Sequence, residues 1–68
     1  MYRIIVKYDN GIICDMIDNY YNNAIELGKC YCNNASVEKV SIFNRYNNML
    51  VAQGSQGLLI DALFGEIL

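Results

Sequence analysis

Apolar and polar positions alternate from Tyr2 to Tyr8. Tyr2, Ile4, Val6 and Tyr8 fall on one side, and Arg3, Ile5 and Lys7 on the other. A period of two predicts a strand with one buried face. Asp9-Asn10-Gly11 follows, and Asn-Gly between apolar runs predicts a tight type I′ hairpin, whose two central residues need positive φ. Ile12 to Ile17 is then a second strand returning along the first.

Beyond it the period changes to 3.6. Asp18 or Asn19 can cap a helix running from Tyr20 to Cys32. Tyr20, Tyr21, Ala24, Ile25, Leu27, Gly28, Tyr31 and Cys32 share its broad apolar face, with Asn22, Asn23, Glu26, Lys29 and Cys30 opposite. Gly28 on the apolar side lets the helix lie close to a sheet. Asn33-Asn34 is expected to end it, because asparagine tolerates the left-handed conformation past a helix C-terminus.

Ser36 to Phe43 alternates again, with Val40 and Ile42 on one face and Lys39, Ser41 and Phe43 on the other. The polar loop Asn44–Asn48 leads into a fourth strand, Met49 to Gln53. Gly54-Ser55-Gln56-Gly57 breaks the pattern. The last stretch, Leu58 to Leu68, reads as a short amphipathic helix. Leu59, Ile60, Leu63, Phe64, Ile67 and Leu68 cover about half its circumference, opposite Asp61, Gly65 and Glu66. The expected fold is therefore α+β. It is a four-stranded antiparallel sheet of hairpin–helix–hairpin (ββαββ) order with one helix packed on it and a short C-terminal helix. Residues 1–54 form the domain, and 55–68 are an apolar helix for core or interface.

With 68 residues there is room for one small core. Domains of this size usually need a staple: a disulfide, a metal or a second subunit. Three cysteines, Cys14, Cys30 and Cys32, cannot close a paired framework, and without histidine they make a poor zinc site. A partner subunit is the remaining staple, so a homodimer is expected. Free thiols and the absence of a signal-peptide pattern at the N-terminus point to a reducing cytoplasm, and no apolar run approaches a membrane span. The net charge is −2, and the five basic residues are scattered along the chain, which disfavours nucleic acid as a partner.

No constellation for catalysis or cofactor binding is evident. Cys30 and Cys32, two apart on a helix, point away from each other and cannot grip one ion. Asp9, Asp15 and Asp18 fit no calcium loop. No Ser-His-Asp set, phosphate loop or dinucleotide fingerprint is present. The informative features are apolar and aromatic. Leu59, Leu63, Phe64 and Ile67 of the tail are expected on the domain's own core or on a partner, since a wet patch of several hundred Å² is rare on a monomer; a membrane surface is the third destination, disfavoured by Asp61 and Glu66 on the polar side. Arg45 and Tyr46, residue types enriched at binding hot spots, stand together in the polar loop.

The pattern YRIIVKYDNG, then an amphipathic helix, then VEKVSIFNRYNNMLV resembles in layout the small orphan proteins of phages and mobile elements of low-GC bacteria, anti-CRISPR proteins among them. It spans residues 2–53. Asn, Ile and Tyr, whose codons are AT-rich, supply 24 of the 68 residues (nine, nine and six), which agrees with such a genome. The resemblance implies a non-enzymatic protein that blocks a larger host complex by occlusion and is often dimeric. It transfers no functional residue. Two alternatives stand beside it: a homo-oligomeric accessory or regulatory protein whose tail serves assembly, and a dimer whose cleft sequesters a signalling nucleotide.

Overall fold

The computed structural model describes residues 1–68. Its elements are β1 (Tyr2–Tyr8), β2 (Ile13–Asp18), α1 (Tyr21–Cys32), β3 (Val37–Asn44), β4 (Leu50–Ser55) and β5 (Leu58–Asp61). The strands form one antiparallel sheet of order β2-β1-β3-β4-β5, and α1 packs across one of its faces.

Ile4 and Val6 on β1 and Val40 and Ile42 on β3 have no solvent exposure. They pair directly across the central seam, Ile4 with Ile42 and Val6 with Val40. Ala52 from β4 and Leu59 from β5 extend this layer. Ala24, Ile25 and Cys32 of α1 close over it, with Gly28 buried between them. The alternation of β1 and β3 thus resolves as read: Ile4, Val6, Val40 and Ile42 face the helix. No polar side chain is buried.

Two turns differ from expectation. At Asp9-Asn10-Gly11 only Gly11 has positive φ (88°). Gly11 N–H donates to Tyr8 O at 2.9 Å and Tyr8 N–H donates to Ile12 O at 2.8 Å. This is a three-residue loop closed by a left-handed glycine, so a type I′ turn is absent here. Asn33 closes α1 in the right-handed region (φ −80°), bonding Lys29 O through both its backbone N–H and its side-chain amide. The amide satisfies a terminal carbonyl that a left-handed residue would otherwise serve. At the other end, Tyr20 is the N-cap and has no capping side chain; Asp18 accepts from Tyr20 N–H instead.

The larger correction concerns the count of strands. The sheet has five, and the C-terminal helix expected over Leu58–Leu68 does not form. Gln56 (φ 53°) and Gly57 (φ 86°) make a two-residue turn with both central φ positive, which folds Leu58–Asp61 back on β4. Gly54, expected to break the chain, lies inside β4 opposite Leu59. Beyond β5 a turn over residues 62–64 and Gly65 (φ 71°) reverse the chain again. Ile67 then bridges Ile60, and Leu68 N–H donates to Leu59 O at 2.8 Å. Residues 55–68 are thus built into the sheet and its edge. An eleven-residue helix is marginal on its own, and the ladder to β4 offers the backbone a better partner.

Candidate interaction surface

Of the residues marked out in the sequence, Leu59 lies in the core, 2% exposed beneath α1. Leu63, Phe64 and Ile67 stand outside it, 81%, 74% and 68% exposed. They are nonetheless held in place. Asp61 Oδ1 accepts from Leu63 N–H at 2.7 Å and from Phe64 N–H at 2.9 Å. The Asp61 carbonyl accepts from Gly65 N–H, and its N–H donates to Glu66 O. One aspartate therefore organises the turn that presents two large apolar side chains to solvent.

Arg45 and Tyr46 lie in the β3–β4 loop. Asn44, Asn47 and the left-handed Asn48 shape it: Asn44 Oδ1 accepts from Tyr46 N–H and Asn47 Oδ1 from Met49 N–H. Tyr46 is 84% exposed. Arg45 N–H donates to Met1 O, and its guanidinium reaches the Met1 thioether at 3.0 Å. Because Ala52 pairs with Asp61 and Ala62 N–H donates to Val51 O, the Leu63–Phe64 turn sits at the same end of the sheet as this loop. The fold brings together at one rim two clusters far apart in sequence.

The face of the sheet opposite α1 is uncovered. Across it run Ile17, Arg3, Phe43 and Leu50 in one row and Asp15, Ile5, Ser41, Gln53 and Ile60 in the next. Arg3, Ile5, Asp15, Ile17, Phe43, Arg45 and Asn48 line an open depression of about 790 Å³. Arg3 Nε donates to both carboxylate oxygens of Asp15, at 3.0 and 2.9 Å, and Nη2 adds a third bond. This bidentate grip holds the Asp15 carboxyl below the usual aspartate range, first by hydrogen bonding and then by the charges of Arg3 and Arg45. In return it raises the Arg3 guanidinium.

Four of the five basic residues, Arg3, Lys7, Lys39 and Arg45, gather on or beside this face. Lys7 and Lys39 are direct cross-strand neighbours, and Glu38 approaches Lys7 at 3.6 Å. The cations scattered in the sequence are therefore collected by the pleat. The alternation of β1 and β3 carried that signal, since Arg3, Lys7 and Lys39 all occupy the non-helix side.

The thiols are separate. Cys30 is exposed, Cys14 half-buried, and Cys32 buried in the core, where desolvation pushes its pKa up. No group of three His, Cys, Asp or Glu side chains is placed to hold a metal. No helix is long and apolar enough to cross a membrane. Scans against protein-family models, curated proteins and solved structures return no match to this chain.

Proposed function

We propose that this chain is a non-enzymatic protein–protein interaction module that acts by covering a partner's surface. One observation carries this reading: Leu63, Phe64 and Ile67 are largely exposed, yet Asp61 and the pairing to β5 hold them in a defined arrangement. Ordered, solvated apolar side chains cost free energy that contact with another protein would recover, at about 25 cal/mol per Å² covered. More broadly, twelve large hydrophobic side chains are exposed against ten apolar residues in the core. The resemblance in layout to small phage proteins supports a larger host complex in the bacterial cytoplasm as the target, with inhibition of host defence as the outcome.

A second reading, in which the same turn joins two copies, is favoured by the small size of that core. Truncation at residue 55 would remove β5 and the buried Leu59, so point substitutions are the appropriate test. Leu63→Asp with Phe64→Asp should keep the fold and abolish capture of a stoichiometric host protein. Light scattering on the same pair of proteins reads the assembly role. Loss of a dimer with partner capture intact assigns the turn to self-association. If the unaltered chain recovers no stoichiometric partner from host lysate and is monomeric, the interaction-module reading fails.

A further inference from the structure

We propose that the uncovered sheet face docks an acidic protein surface, with Arg45 and Lys39 as its charged anchors and Ile5, Ile17 and Phe43 as its apolar floor. The inference names the chemistry of the partner and rests on the interaction-module reading above. Its basis is how charge is divided over the molecule. The chain carries −2 overall. On and beside the open face, Arg3, Lys7, Lys39 and Arg45 stand against Asp15 and Glu38, leaving +2. The rest of the chain has Lys29 against Asp9, Asp18, Glu26, Asp61 and Glu66, leaving −4. A net-acidic protein has one positive face.

Pairing within the face is incomplete. Asp15 is taken by Arg3 and Glu38 lies near Lys7, while Arg45 and Lys39 have no ion pair. Arg45 lies at the rim of the depression, and its only side-chain hydrogen bond goes to a thioether, a weak acceptor. Half-buried Ile5 and Phe43 lie between these two cations, and the 54% exposed Ile17 adjoins Arg3 on β2 at the edge of the same face. Apolar area flanked by unsatisfied cations matches a surface presenting carboxylates around aliphatic side chains.

Charge also decides against other occupants. Two copies meeting through this face would oppose eight cations with only four carboxylates. Single-stranded nucleic acid wants flat rings for stacking, whereas this floor is mainly isoleucine, with Phe43 as its one ring. The acidic remainder of the chain would repel a long polyanion as well.

The test is an NMR titration of the isotope-labelled full chain with a short peptide alternating glutamate and leucine. Oligothymidine and phosphatidylserine-containing vesicles serve as comparison probes. Amide shifts are expected at Arg3, Ile5, Ser41, Phe43 and Arg45, and they should fade at about 0.5 M salt, where charges are screened beyond a few Å. The double variant Lys39→Glu, Arg45→Glu should weaken peptide binding about tenfold or more. Should it not fold, the milder Arg45→Gln reads the same effect in smaller measure. The Lys29→Glu variant, a charge reversal on α1 away from this face, should bind the peptide as the unaltered chain does. Peptide shifts on α1, no peptide binding, indifference to the charge changes, or tighter binding of oligothymidine or vesicles would each overturn the inference. If the peptide fails while the C-terminal turn still captures a host protein, only this inference falls. If no partner is captured and the chain is monomeric, the module reading falls with it.

Discussion

Gly28 on α1 lies so close to Ile42 on β3 that a Cβ at position 28 would stand 2.8 Å from the Ile42 Cδ1 and 3.1 Å from the Leu59 Cδ2. The absent side chain sets the distance between helix and sheet. Both contacted atoms are ends of side chains, so one methyl can be absorbed by small rotations. Gly28→Ala also gains about 1 kcal/mol of helix propensity. The two effects offset, and Gly28→Ala is expected to change stability by less than about 1 kcal/mol. Gly28→Leu cannot be absorbed and should cost about 3 kcal/mol by overpacking. Urea denaturation of the two variants checks the contrast.

Gly54 has no such latitude. A Cβ there would collide with the Leu58 carbonyl and with the Leu59 Cα, backbone atoms of the adjoining strand. Gly54→Ala should therefore be worse than Gly28→Ala, destabilising by about 2–4 kcal/mol and loosening the β4–β5 hairpin. Hydrogen exchange at Leu59 and Leu68 would show whether the loss begins at that edge.

The Arg3–Asp15 pair gives a pH dependence of known sign. The Arg3 hydrogen bonds hold the folded-state pKa of Asp15 below its ordinary, unfolded value. Its stabilising effect is complete above that unfolded value and is lost as pH falls through the lower folded value. The pair is exposed, so the effect is small. The Asp15 carboxyl carbon should titrate below the ordinary aspartate range, and Arg3→Gln should return it toward that range. Carbon-detected NMR between about pH 2 and 5 measures both.

Asp61→Ala should uncouple the terminal turn from the sheet. It removes the acceptor of the Leu63 and Phe64 N–H groups, a change comparable to losing a helix cap, at about 1 kcal/mol. Amide protection at Leu63 and Phe64 should vanish while that of Ile4 and Ile42 persists. Partner capture should weaken although no contacting side chain has been altered.

Period-two alternation was enough to assign β1 and β3 and their faces, because each has one side against α1 and one side open, while β2 was placed only as the return of the hairpin after Gly11. Cys30 outward and Cys32 inward likewise followed from the helical period. The tail was misread because Leu59, Ile60, Leu63, Phe64 and Ile67 satisfy a helical spacing as readily as a strand followed by a turn. In so short a stretch, pairing with β4 outweighs periodicity. The sequence did hold a signal against the helix, in Gln56-Gly57 as a two-residue turn and Gly65 within the apolar run. The positive face stayed hidden because cations dispersed along the chain become neighbours only once β1 and β3 are known to pair.

The strand order 2-1-3-4-5 has a consequence for how the chain reaches its native state. β1 with β2, and β3 with β4 and β5, are local meanders that can zip early. A single seam, β1 on β3, must find its register over a distance as long as Tyr2 to Asn44, with α1 forming in the intervening chain. That seam contributes most of the contact order, so its closure sets the pace of folding. Truncating Ile4 or Ile42 should slow folding, whereas truncating Leu58 should chiefly hasten unfolding.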